Sequence, residues 1–259
     1  MVLRESLEGG VLRLTLDRPD KRNALSPDLL RALRAAFARA RDDDAVRSVL
    51  LTGEGPAFCA GGDFDAMRAR HDAPEGPALA TKRAQDELFG GLAKDILLLE
   101  KPVVAYVNGD AFGAGLMLAL ACDHAVAASG ARFAATFTKI GLIPDTAGTW
   151  LLPKTLGLRD ARRLVLLPEP VDAREAADMG LVSEVGDMAR AEEVARRWAE
   201  GPTRALGLAK RAIVLGTADD LDAALAREAA VQGLLFTTKD HEEGVAAFAQ
   251  KRAPKFEGR

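Results

Sequence analysis

The sequence predicts an α/β fold in which a strand, a glycine-rich loop and a helix recur, and three observations lead there. Pro102 to Asp123, PVVAYVNGDAFGAGLMLALACD, sets an apolar run, a glycine-punctuated turn and a second apolar run in succession. Val46 to Phe64, VRSVLLTGEGPAFCAGGDF, repeats that build with four glycines in its loop. The third is bulk: 259 residues, 48% hydrophobic and 28% charged, suffice for one large core with a smaller appendage and exclude disordered and fibrous classes.

Within the first stretch, Val103, Val104 and Val107 are β-branched and suit a pleated sheet. Leu116 to Ala121 has no polar face and predicts a core helix. Gly109, Gly113 and Gly115 let backbone come close to a ligand, and the amides that open the helix at Ala114 have no intrahelical partner. They point outward with the positive end of the helix dipole, which suits a developing negative charge. A glycine loop kept only for tight packing would look the same. Because the second stretch has the same build, two outward amides are available to one small site. Neither loop has the GxxxxGK[ST] or GxGxxG spacing of a phosphate fingerprint, so nucleotide hydrolysis is disfavoured.

Around these stretches, Val11 to Asp17 alternates apolar and polar residues and predicts a half-buried strand. Ser26 before Pro27 marks a helix start, and Leu29, Leu30, Leu33, Ala36, Phe37 and Ala40 form one face of a helix to about Arg41. His71 to Thr81 is polar, with Pro74 and Pro77, and predicts a surface loop or a lid. Lys82 to Glu100 predicts a helix; His124 to Ala128 and Ala131 to Phe137 predict strands. Asp145 follows a proline ahead of a helical stretch, the position of an N-cap. From Leu156 the chain is mainly helical. Beyond Gly201-Pro202 three helices, 205–215, 221–236 and 241–248, offer more apolar surface than they can bury among themselves, as an association module would.

A net charge of -3 gives no basic footprint for nucleic acid, and no apolar run is long enough to span a membrane or to form a leader, so a cytoplasmic protein is expected. Cys59 and Cys122 sit in apolar surroundings, where reduced thiols are expected; His71, His124 and His241 occur singly, so no metal site is expected.

Taken together, RPDKRNAL, AFCAGGD, KPVVAYVNGDAFGAGL, KIGLIPDTAGTW and EGVAAFAQKRAPKF, spread in order over nearly the whole chain, resemble the enoyl-CoA hydratase/isomerase (crotonase) family. Within it the KIGLIPD segment and the tail are most similar to the phenylacetate-degradation isomerases. The resemblance implies a spiral of ββα repeats over residues 1–200 carrying an acyl-CoA site, and a helical region over 201–259 that builds a homotrimer or a dimer of trimers.

It also implies roles for individual residues. The amides of Gly62 and Ala114 would hold the thioester oxygen; Ala114 stands where a glycine is common, which the role tolerates if the local φ suits alanine. The positions matching the two hydratase glutamates are Met117 and Phe137, neither of which can carry a proton, so hydration loses both its agents. Asp145 matches the aspartate of the double-bond isomerases and is the expected base. The dehalogenating branch shares that aspartate but adds a histidine near Gly90, which is absent here. Coenzyme A would enter as part of the substrate, with no separate cofactor. Its adenine would lie on the Ala24 and Ala60 backbone, its phosphates near Lys21, Arg22 and a basic tail residue such as Lys251 or Lys255. Asp63, next to Gly62, would brace the loop.

The function so implied is an acyl-CoA isomerase that shifts a double bond or rearranges a ring epoxide through an enolate, with one aspartate base. Two alternatives stand beside it: a hydratase with atypical acid and base, and a non-catalytic acyl-CoA-binding member in which Asp145 only caps a helix.

Overall fold

The computed structural model describes residues 1–259. Strand β1 (Leu3–Glu8) turns through Gly9 and Gly10 into β2 (Val11–Leu16), pairing antiparallel from Leu3↔Leu16 to Glu8↔Val11. The sequence reading found β2 but not β1, whose side chains beyond Leu3 are all exposed and leave no alternating pattern to detect. Helix α1 (Pro27–Asp42) starts as expected: the Ser26 hydroxyl accepts a hydrogen bond from the Leu29 amide, and the six named apolar residues are all buried. Then come β3 (Ser48–Gly53), β4 (Ala57–Cys59) and α2 (Phe64–His71).

The polar stretch after His71 is shorter as a loop than expected. Asp63 caps α2 through the Ala66 amide, and Pro77 opens α3 (Pro77–Ala84), which continues through a π-helical turn (Gln85–Phe89) into α4 (Gly90–Leu97). Polarity there records solvent exposure on helices that bury no residue, which a composition argument mistakes for irregularity.

The predicted central unit follows as β5 (Val103–Val107), β6 (Asp110–Phe112) and α5 (Ala114–Leu120), then β7 (His124–Ala127) and β8 (Arg132–Ala134). The strand expected through Phe137 stops at Ala134 because its partner β6 ends at Phe112, paired with Ala134; the chain then curls into a 3-10 helix, Thr136–Ile140, that carries Phe137. The rest is α6 (Gly148–Leu166, kinked at Gly157), β9 (Val171–Asp172), α7 (Ala173–Met179), β10 (Glu184–Val185), α8 (Met188–Ala199), α9 (Thr203–Gly216), α10 (Leu221–Leu235) and α11 (Lys239–Ala249).

Two sheets organise these elements: β1-β2-β3-β5-β7-β10 and β4-β6-β8-β9. The neighbours β2, β3, β5 and β7 run parallel in the first, β4, β6 and β8 parallel in the second. Three successive turns, β3-β4-α2, β5-β6-α5 and β7-β8 with its 3-10 helix, each lay one strand in each sheet before a helix or helical turn. The sequence showed two such units; their second-sheet strands, three residues each, were hidden inside the glycine loops. A parallel bridge between Leu25 and Gly62 extends the second sheet toward α1.

Both faces of the first sheet are covered, as parallel sheets require. Val49, Leu51, Val103 and Ala105 face the main core, which includes α1 and α5, while Leu50, Val104 and Val126 pack under Ala191, Val194 and Ala195 of α8. The C-terminal helices dock by α9: Gly207 lies against the Glu100 backbone so closely that no side chain would fit, and Lys210 pairs with Asp123 at 2.7 Å.

Candidate active site

Three loops meet beside the N-terminus of α5. In the first, Arg22 and Asn23 take left-handed φ values of 48° and 57°, a turn that delivers Ala24 and Leu25 to the glycine loop. Ala60 donates its amide to the Arg22 carbonyl (2.9 Å) and Leu25 donates to Gly61 (2.8 Å). These bonds set the Arg22–Leu25 turn against Ala60, Gly61 and Gly62. Lys21 and Arg22 are exposed, Lys21 near Asp65 at 3.4 Å. Lys251 and Lys255, beyond α11, make no hydrogen bond or ion pair with them.

Two residues that sequence reading had passed over lock this corner. Buried Asn23 donates to the Ala57 and Glu54 carbonyls (2.8 and 2.9 Å) and accepts from the Arg18 amide. Arg18 bonds the Ala24 carbonyl (2.5 Å) and the Asp63 carboxylate (2.8 Å). Burial disfavours charge on Asp63, but Arg18 and the Ala66 amide outweigh it and hold its carboxyl below the usual range. Asp63 is thus a brace, engaged on both oxygens.

The second loop sits directly on the first. A side chain on Gly61 (φ 98°) would fall 2.8 Å from the Phe112 carbonyl and 3.5 Å from the Ala114 nitrogen, so the two glycine loops are in backbone contact. Gly113 carries the left-handed conformation (φ 53°, ψ −123°) and donates to Ala134 (2.8 Å). Ala114 is the first residue of α5 in ordinary helical geometry, which removes any conformational objection to alanine. Its N–H is an orphan of the first helical turn, and the Gly62 N–H has no acceptor in the chain either.

The turn that bears Asp145 meets the same helix, α5, one turn beyond Ala114. Gly148 sits between Pro144 and Met117, which is fully buried in α5, so a methyl on Gly148 would strike the Met117 sulfur. Phe137, also buried, lies about one van der Waals contact from Gly113, its Cζ 4.0 Å from where a β-carbon would be. Met117 and Phe137 therefore line the joint with apolar surface.

Asp145 does not cap the following helix, contrary to the capping alternative. Helix α6 begins at Gly148 with Ala147 at its N-cap and no side-chain capping bond, because Thr146 and Ala147 are left-handed (φ 51° and 63°) and swing Asp145 away. A β-branched residue at positive φ is strained, and such strain concentrates at functional sites. The Asp145 carboxylate accepts instead from the Thr146 hydroxyl at Oδ1 (2.9 Å) and from Gln85 Nε2 at Oδ2 (2.9 Å). Burial raises the Asp145 carboxyl above the ordinary aspartate value and prevails over Gln85, Thr146 and the Arg70 charge, which act the other way. Gln85 and Arg70 escaped sequence reading: neither belongs to a motif, and Gln85 is 60 positions from its partner. Asp110, the first residue of β6, makes a two-pronged ion pair with Arg132 (2.9 and 2.7 Å).

Chemically the site offers two amides without acceptors on glycine loops that touch through their backbones, an apolar lining and one half-buried carboxylate with raised proton affinity. Comparison with known proteins gives the family. The enoyl-CoA hydratase/isomerase family profile matches residues 6–259. A probable enoyl-CoA hydratase of Rhodobacter capsulatus is 42% identical, the alignment covering 99% of this chain and 98% of that protein. The 1,2-epoxyphenylacetyl-CoA isomerase of Escherichia coli is 39% identical, with 98% and 97% covered. An enoyl-CoA hydratase crystal structure from Polaromonas superposes with a TM-score of 0.90 at 35% identity, over 98% of this chain and 99% of that one. Sequence, crotonase-type spiral and relatives converge: the chain belongs to the enoyl-CoA hydratase/isomerase family of acyl-CoA enzymes.

Proposed function

We propose that the chain is an acyl-CoA isomerase that moves a proton, and with it a double bond or an epoxide ring, using Asp145 as its single base. The observation that carries this reading is the position of the carboxylates. Asp145 is half-buried with raised proton affinity on the turn that packs on α5 at Met117, while the two positions that match the hydratase glutamates hold Met117 and Phe137.

The thioester carbonyl would accept from the Gly62 and Ala114 amides, which stabilise the enolate formed when a proton leaves the α-carbon. Asp145 takes that proton and returns it at a second carbon, giving the 2-enoyl from the 3-enoyl thioester; with a ring-epoxide substrate the same enolate opens the rearrangement. The apolar lining keeps out the water that hydration would consume. Coenzyme A is part of the substrate, and its adenine would rest on Ala24 and Ala60 with phosphates near Lys21 and Arg22. The epoxyphenylacetyl-CoA isomerase relative supports an isomerase, whereas the Rhodobacter relative supports a hydratase, so the test must separate them.

A panel of 3-enoyl, 2-enoyl and ring-epoxide thioesters is incubated in deuterated water, with deuterium uptake and double-bond position read by mass spectrometry. Isomerisation with α-exchange is expected, and Asp145→Asn is expected to lower both roughly 100-fold or more, the size of a lost general base, with thioester binding retained. Hydration of crotonyl-CoA at about 10 per second or faster would overturn the isomerase reading.

A further inference from the structure

We infer that Gln85 is a positioning residue for the Asp145 base: its side-chain amide, delivered by the π-helical turn, fixes the carboxylate for proton transfer. The inference rests on the proposed role of Asp145 and adds what holds it.

The geometry is specific. Gln85 Nε2 lies 2.9 Å from Asp145 Oδ2, both groups are half-buried, and Thr146 occupies the other oxygen, so the carboxylate plane is set by two donors from opposite sides. Those donors come from separate parts of the fold. Thr146 belongs to the turn itself, whereas Gln85 comes from the helical segment over residues 77–97.

That segment departs from α-helical geometry at this one place. Between Gln85 and Phe89 it takes a π turn, and the Gly90 amide bonds back to the Gln85 carbonyl. An added β-carbon at Gly90 would fall 2.9 Å from that carbonyl, so the glycine is needed for the wider turn. A π turn shifts the helical register by one residue and recurs at functional sites. Here the residue at its start is the one that reaches the base. Phe89, at its end, is buried in the main core and anchors the turn, with the Arg70 guanidinium 6.0 Å above its ring.

A donor to a carboxylate favours the ionised form, so Gln85 works with Thr146 and Arg70 against burial. Those are the charged and hydrogen-bonding groups that face Asp145. Removing Gln85 therefore has a signature beyond loss of rate. The pH at which the base ionises must rise, and a carboxylate free to rotate must transfer protons more slowly once ionised.

The test compares wild type with Gln85→Met, close in length but without a donor, and Gln85→Asn, one methylene too short to reach. Each is assayed for α-proton exchange across pH with the best thioester of the panel, and melting temperatures are recorded. For both variants we expect the acid limb of kcat to move up by half a pH unit or more, kcat at the plateau to fall roughly 10-fold, KM to change little and the melting point to hold. Either variant suffices if the other fails to fold. An unshifted acid limb and plateau in a folded variant, with Asp145→Asn inactive, overturns the Gln85 role and leaves the base in place. An active Asp145→Asn removes the base assignment itself, and the Gln85 role with it.

Discussion

At the scale of single residues, the site reads as a division of labour between burial and hydrogen bonding. Asp63 and Asp145 both border the glycine loops, yet their carboxyls move in opposite directions, because Asp63 has the Arg18 guanidinium and the Ala66 amide whereas Asp145 has only neutral donors and a distant arginine against its burial. The raised Asp145 value carries a cost in stability with a definite sign. A carboxyl whose proton affinity is higher folded than unfolded favours the native state while it is protonated. That contribution is complete below the unfolded aspartate value, about 3.9, and is lost as pH rises through the folded value. Asp145→Asn, permanently neutral, should therefore melt higher than wild type at pH 7, and the difference should vanish below about pH 3.5. Calorimetry at the two pH values checks this, and an Asn variant that is no more stable at pH 7 would count against buried charge at this position.

Among the elements, the join between α9 and the spiral depends on one buried polar contact. Lys210 is buried and donates to Asp123 Oδ2 (2.7 Å) and to the Lys101 carbonyl (3.3 Å), while Asp123 Oδ2 also takes the Val103 amide (2.7 Å) at the start of β5. The pair thus ties the first C-terminal helix to the strand that leads into the site. Lys210→Met would leave the Asp123 carboxylate and the Lys101 carbonyl without this donor, at a cost of about 2 kcal/mol. Thermal unfolding should drop by several degrees for a chain of this length. Adding Asp123→Asn to Lys210→Met should recover part of the loss, since a neutral amide tolerates the vacancy better than a carboxylate; an additive double variant would show that the contact is not coupled.

For the whole molecule, the region after Gly201 divides in two. Helix α9 is built onto the spiral, but α10 buries no residue, and Leu221, Phe236 and Phe248 are 72%, 68% and 88% exposed. Isolated apolar residues on a surface are ordinary, but a large cluster is a signature of association. We propose that residues 201–259 form the oligomerisation region, with a homotrimer or a dimer of trimers as the assembly. Light scattering coupled to sizing should give three or six times the chain mass. A stable monomer at micromolar concentration would overturn this, together with any contribution of Lys251 or Lys255 to a neighbour's site.

What the amino-acid sequence determined on its own was whatever rests on near neighbours. The cap at Ser26, the six-residue apolar face of α1, the all-apolar α5 starting at Ala114 and the apolar residues at 117 and 137 were all legible, because helix periodicity and helix ends are set within a few positions. The tertiary structure alone decided what depends on distant partners. Strands β4 and β6 of the second sheet exist only through the strands beside them, since runs so short inside a glycine loop have no period to read. The end of the β8 strand before Phe137 was set by where β6 stops. Asp145 shows the limit most sharply: its sequence context reads as an N-cap, but two left-handed residues turn it from the helix and Gln85, 60 positions away, receives it. A hydrogen bond between side chains so far apart leaves no periodic trace in the sequence, and only the folded backbone can bring its two ends within 3 Å.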